Sequence, residues 1–362
     1  MLEGVGPTRF AADLHDFLEQ VRQKGQMPGL AAAVWWGSEP YAAAVTGFRK
    51  RNDPTPVTIG DRWHLGSNTK AMTATLIGLF VDRGVVRFED QLNELLGGDQ
   101  LHPGYAAVTV EQLLQHRGGA PENPPPHMRK HMSTDGIEPA AARAAAVTTI
   151  LADSPAHTPG KYAYSNVGYM ILGAALQRLC GASWESLMRT ELFTPLRMNS
   201  AGFGGPGSPG TTDQPWGHNS TLEPMPPGPL SDNPPAFGPA GTVHCTLTDW
   251  GRFLGQHLAG ARGAPSILST VTMARLHQPA RGGDYAAGWI VLTPEWANGP
   301  VLTHTGSNTL WTAETLLAPA NNLIFAVVTN CGDDQAHQAV DDVTGWLIDN
   351  CTTGQTRGHP NR

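Results

Sequence analysis

No apolar run in this 362-residue chain approaches the roughly 18 residues needed to cross a bilayer, so no transmembrane segment is expected. The opening MLEGVGPTRF lacks the charged-then-apolar order of a secretory leader. On this reading the chain is periplasmic or secreted if a leader has been removed, and cytoplasmic otherwise. Charge is sparse, at 15% of residues with a net −7, and the densest basic stretch is FRKR at 48–51. That excludes nucleic acid as an expected partner. Four cysteines, Cys180, Cys245, Cys331 and Cys351, are too few and too scattered for a disulfide framework or a zinc pattern. HMRKH at 127–131 spaces two histidines by four but lacks the glutamate of H-E-x-x-H, so solvent-exposed histidines are expected there and no metal. G-x-S-x-G is absent too; GASWE at 181–185 lacks the second glycine, which excludes the nucleophile elbow of an α/β-hydrolase.

Glycine (42) and proline (30), by contrast, are abundant and imply much ordered loop, while 40% hydrophobic residues argue against disorder. Phe10, Leu14, Phe17, Leu18 and Val21 predict a helix over 9–23. Strand-like runs at 30–37 and 41–48, joined by SEP, form a hairpin signal, and further runs at 289–294, 301–306, 310–318 and 322–330 precede a helix at about 334–349. Between them lie helical segments at 67–83, 109–116, 140–152, 166–180, 184–193 and 246–258. The expected fold class is α/β (α+β). One antiparallel sheet is built from both chain ends and flanked by terminal helices, with a large helical subdomain inserted in the middle and a cleft at the junction. The expected division of this one domain is 1–66 with 281–350 for the sheet, 67–280 for the helices and 351–362 for a tail. A loop at 204–239 holds ten prolines and reads as a flap over the cleft.

Within WHLGSNTKAMTATLIGLFVDRGVV (63–86), Met72, Leu76, Leu79 and Phe80 mark one buried helix face, and Gly84 ends the helix. Its first turn carries Ser67 and Lys70, which i, i+3 spacing places on one face. A serine hydroxyl needs a base to become a nucleophile, and burial lowers a lysine pKa enough for it to serve. The N-terminal backbone N–H groups favour an oxyanion at the same place. The pair can therefore be nucleophile and base, although S-x-x-K alone is a weak signal and Ser67 could equally be a helix cap.

Two further segments add to it. Tyr164-Ser165-Asn166 opens the helix KYAYSNVGYMILGAAL (161–176); a tyrosine hydroxyl can relay a proton and an asparagine amide can hold a carbonyl or an ammonium. VLTHTGSNTLW (301–311) puts His304, Thr305 and Gly306 at a strand end, where Gly306 would let a substrate backbone approach the edge.

S-x-x-K, Y-x-N and H-T-G in this order resemble the serine β-lactamase and penicillin-binding-protein superfamily. The chain looks most like its class C-type branch of esterases, D-aminopeptidases and DD-peptidases. RWHLGSNTKAMTA, VTVEQLLQHRGGAP, GPAGTVHCTLTDWGRF and YAAGW extend the resemblance from residue 27 to the final helix. It implies a β-lactamase/transpeptidase-like fold and an acyl-enzyme route with no metal or organic cofactor. It further implies Ser67 as nucleophile, Lys70 as proton acceptor and Tyr164 as proton shuttle. Asn166 would orient the substrate and Lys70, the backbone N–H groups of Ser67 and Ser307 would form an oxyanion hole, and His304, Thr305 and Gly306 would line the opposite wall.

Two departures stand out. The β-lactamases of this branch have lysine where this chain has His304, and QHRGGAP (115–121) replaces the usual H-T-S-G-L-P. An imidazole of ordinary pKa, about 6.5, holds a substrate carboxylate weakly at pH 8 and better toward pH 6. The expected substrate is a small ester, a peptide or a β-lactam, with esterase-like hydrolysis first, D-amino-acid peptidase or weak β-lactamase next, and an inactive cell-wall-peptide-binding relative as the reading from another class.

Overall fold

The structure, a computed structural model, describes residues 7–97, 101–132 and 138–352. Most of the tail, 353–362, lies outside the described residues.

Helix α1 (Pro7–Lys24) leads into strands β1 (Gly29–Trp36) and β2 (Glu39–Gly47), a hairpin with a register shift at Val34/Trp35. Then come β3 (Arg62–His64), α2 (Thr69–Asp82), α3 (Asn166–Cys180), β4 (Val243–Thr246) and α4 (Leu247–Ala261). Strands β5 (Ile290–Leu292), β6 (Val301–Ser307), β7 (Thr312–Ala318) and β8 (Leu323–Thr329) and helix α5 (Asp334–Thr352) end the described chain. The main sheet has the order β2-β1-β8-β7-β6-β5, and every neighbouring pair is antiparallel. The two ends of the chain meet where Leu30 of β1 lies opposite Thr329 of β8.

The central strands are apolar on both faces because both faces are covered. On β8, Ile324, Ala326 and Val328 join the core that includes α2, whereas Leu323, Phe325 and Val327 join the core under α1 and α5. This period-2 alternation feeds two cores from one strand. Helix α1 buries Phe10, Leu14, Leu18 and Val21, four residues apart or nearly so, against the second core.

Helix α2 differs from its expected one-sided stripe. Every residue from Thr69 to Phe80 is buried, polar Lys70, Thr73 and Thr75 included, because protein packs around its whole circumference. The small sheet of β3, β4 and Gly202–Phe203 and the helix Thr270–Leu276 have no counterpart among the expected elements. Strands of two to four residues are too short to display a period. The proline-rich segment 204–239 is stitched down: His218 donates its backbone N–H to the Leu310 carbonyl at 3.0 Å, and its Nδ1 lies 2.7 Å from the Asn330 carbonyl.

Candidate active site

Ser67 sits in a 3₁₀ turn, Gly66–Asn68, that runs directly into α2. Its hydroxyl caps nothing in that turn; Lys70 Nζ lies 2.9 Å from Ser67 Oγ, and the Tyr164 hydroxyl donates to the same oxygen at 2.8 Å. Lys70 also donates to Asn166 Oδ1 (2.7 Å) and to the Ala240 carbonyl (2.8 Å). All three partners are uncharged, and among the described residues no carboxylate pairs with Lys70. Its side chain is fully buried, so desolvation drives its pKa well below 10.5. A lysine shifted in that direction gives up its proton more readily, and its Nζ is held by Asn166 and Ala240 within reach of Ser67 Oγ.

Burial acts oppositely on Tyr164, whose pKa rises to about 12, so its hydroxyl carries a proton across the neutral pH range. Its backbone is clamped from both sides by His116. The His116 carbonyl accepts from the Ala163 N–H (2.8 Å), and its Nδ1 accepts from the Ser165 N–H (3.1 Å). The His116 ring packs 4.3 Å from that of Tyr164. Ser165 caps α3 by accepting from the Gly168 N–H, which leaves the Asn166 amide to bond Lys70 and Asn123 Oδ1 (2.9 Å).

The wall from β6 differs in detail from expectation. His304 is buried, with Nδ1 2.8 Å from the Thr305 carbonyl and Nε2 3.1 Å from the Tyr285 hydroxyl. Burial, reinforced by nearby Lys70, lowers its pKa to about 3. The expectation of an imidazole titrating near 6.5 is thereby corrected: this ring is neutral throughout the working pH range. The Thr305 hydroxyl bonds the buried Glu314 carboxyl, which Thr344 of α5 also holds.

Gly306 is crowded by the chain's own backbone, where a substrate backbone was expected. A Cβ there would fall 2.2 Å from the Leu65 carbonyl oxygen and 2.6 Å from the Ser67 nitrogen. Gly66, at φ +52°, answers it: a Cβ there would lie 2.4 Å from the Ser307 nitrogen. Two glycines thus let the strand around Ser307 and the turn carrying Ser67 pack backbone to backbone.

All eight residues singled out from the sequence fall on these two adjoining segments and the start of α3. Ala240, His116, Tyr285 and Asn123 escaped sequence reasoning. GPAG and YAAGW signalled resemblance without a role, and a backbone carbonyl such as that of Ala240 leaves no side-chain signal. Among the described residues, no three His, Cys, Asp or Glu side chains gather as a metal site would require.

An antiparallel sheet backing a buried helix, with serine, lysine and tyrosine in mutual contact at its first turn, defines a serine hydrolase of β-lactamase fold. The Beta-lactamase family model matches residues 14–348, and the chain belongs to that family. It is 27% identical over 330 residues to penicillin-binding protein 4 of Amycolatopsis lactamdurans, spanning 87% of this chain and 84% of that protein. It is 27% identical over 336 residues to the unguisins hydrolase ungD' of Aspergillus campestris, spanning 87% of this chain but only 60% of that protein. Among solved structures, the octameric penicillin-binding protein homologue from Pyrococcus abyssi superposes with a TM-score of 0.73 at 21% identity, covering 92% of this chain and 77% of that one. SurE superposes at 0.76 and 20% identity, covering 97% and 77%.

Proposed function

We propose that this protein hydrolyses uncharged acyl esters through an acyl-enzyme on Ser67. The observation that carries the reading is the single oxygen, Ser67 Oγ, placed 2.9 Å from a buried amine and 2.8 Å from a protonated phenol. Neutral Lys70 takes the Oγ proton as Oγ attacks the carbonyl carbon. The oxyanion forms against the Ser67 and Ser307 N–H groups. Tyr164 gives its proton to the leaving oxygen and regains one from the Lys70 ammonium; water then enters by the same path and the acid is released. Preference for uncharged acyl groups rests on neutral His304, which offers a substrate carboxylate no cation.

The test is intact-protein mass spectrometry after exposure to a short-chain aryl ester, a β-lactam and a D-Ala-D-Ala peptide, with Ser67→Ala alongside. An ester-derived acyl mass on the wild type, lost in the alanine variant with circular dichroism unchanged, is the expected result. Alanine gives up at most a cap, about 1 kcal/mol. More than a few per cent residual turnover in Ser67→Ala refutes the nucleophile. A second reading, hydrolysis of peptides containing D-amino acids, draws on the penicillin-binding relatives and on the structure of SurE solved with D-Leu. Retention of the peptide acyl group in place of the ester acyl would favour it.

A further inference from the structure

We propose that His64 and Asp232 form a buried positioning pair that holds together the two backbone segments carrying the oxyanion-binding N–H groups. This rests on the acyl-enzyme reading above and assigns the proline-rich segment a part in it.

The side chains of His64 and Asp232 are almost wholly buried, 0% and 5% exposed, and His64 Nε2 lies 2.9 Å from Asp232 Oδ2. The other ring nitrogen, Nδ1, accepts from the Gly66 N–H at 3.1 Å. Because Nδ1 is an acceptor, the ring proton sits on Nε2 and is donated to the carboxylate; the two partners together select one tautomer. The second carboxylate oxygen, Oδ1, accepts from Asn308 Nδ2 at 3.0 Å and from the Asn233 N–H at 2.7 Å. Asn308 in turn fixes the β6–β7 turn, its Oδ1 accepting from the Leu310 and Trp311 N–H groups.

One carboxylate therefore has two arms. The first ends on Gly66, one residue before Ser67; the second ends on Asn308, one residue after Ser307. Gly66 has no side chain to hold its φ of +52°, so an external anchor on its N–H is what can fix the peptide leading into Ser67. Trp311 stacks on the imidazole at 5.5 Å between ring centroids and helps keep it dry. Asp232 enters from the proline-rich segment, 168 positions along the chain from His64.

Asp232→Asn tests this sharply. The new amide would donate to Nε2, drive the ring proton to Nδ1 and turn the Gly66 contact into two opposed donors. Loss of one oxyanion donor costs about 100- to 1,000-fold in kcat, so misplacing one should cost about 10- to 100-fold. In Asp232→Asn and in His64→Gln we expect kcat/KM for an aryl ester to fall by that factor. Affinity for an aryl boronic acid, whose tetrahedral adduct places an oxygen in the same hole, should fall in parallel. KM should move little, the urea midpoint should fall because each variant leaves a buried polar group unsatisfied, and, with activity taken per folded protein, the double variant should lose no more than the worse single, since the pair acts as a unit. The inference is overturned if boronate affinity is unchanged, if the two losses multiply, or if activity falls only in proportion to folded protein in both variants. Absence of wild-type acylation at Ser67 would instead sink the acyl-enzyme reading, so the two failures are distinguishable.

Discussion

Selectivity between a carboxylate-bearing substrate and a neutral ester should be independent of pH between 8 and 6. An imidazole at its ordinary pKa of about 6.5 would go from about 3% protonated at pH 8 to about three-quarters at pH 6, a rise of about 25-fold in cationic wall. In the folded protein His304 titrates at about 3 because it is buried and faces Lys70. At pH 6 only about one ring in a thousand is then protonated. Both nitrogens are already engaged, with Thr305 and Tyr285, so the ring has no donor to turn toward a ligand. The assay is kcat/KM for a chromogenic cephalosporin divided by kcat/KM for a p-nitrophenyl ester, because titrations of groups common to both reactions cancel in the ratio. The ratio should stay within about twofold. His304→Lys should not raise it either: the added amine would share the dry pocket with Lys70, and burial beside a second amine would lower its pKa in the same direction. A rise of tenfold or more toward pH 6, or a nitrogen NMR titration of His304 above pH 5, would refute the reasoning.

Lys70→Ala and Tyr164→Phe should each slow ester turnover by about 100-fold or more, and the double variant should lose far less than the product; multiplicative losses would show that the two work independently. Acid should unfold the protein early. His218, His244 and His304 are held neutral by burial, with pKa values of about 4, 4 and 3, so the unfolded chain binds protons below about 6.5 that the folded one refuses. At pH 5 each costs about 2 kcal/mol, or about 6 together, set against a total stability of about 5–15 kcal/mol. A thermal midpoint that holds steady from pH 7 to 5 would contradict this. Glu314 works in the opposite sense: burial raises its carboxyl from 4.5 to about 7, so the folded protein loses stability as pH rises from about 4.5 to 7. Glu314→Gln should therefore stabilise the protein by up to about 3 kcal/mol at pH 8–9 and change it little near pH 4, as urea melts at the two pH values would report.

The sequence by itself determined which side chains meet at this site and the sheet that carries them. Ser67 and Lys70 are three residues apart on one helix, so their contact is a local consequence of helical geometry. The apolar runs of β1 and β8 are long enough to show their nature before any partner is known. What the sequence could not decide is how each group is electrically set. His304 reads as an ordinary imidazole until the fold buries it against Tyr285 and Lys70. Lys70 reads as an ordinary ammonium until the fold, with α3 and the segment at Ala240 closing over it, buries it and lowers its pKa. Gly66 and Gly306 look like independent turn residues; only the packing of β6 onto the serine turn makes each the condition for the other. Asp232 lies in a proline-rich stretch without periodicity, and its contact with His64 spans 168 positions. Protonation and alignment depend on what surrounds a group in three dimensions, and local order along the chain carries no record of that.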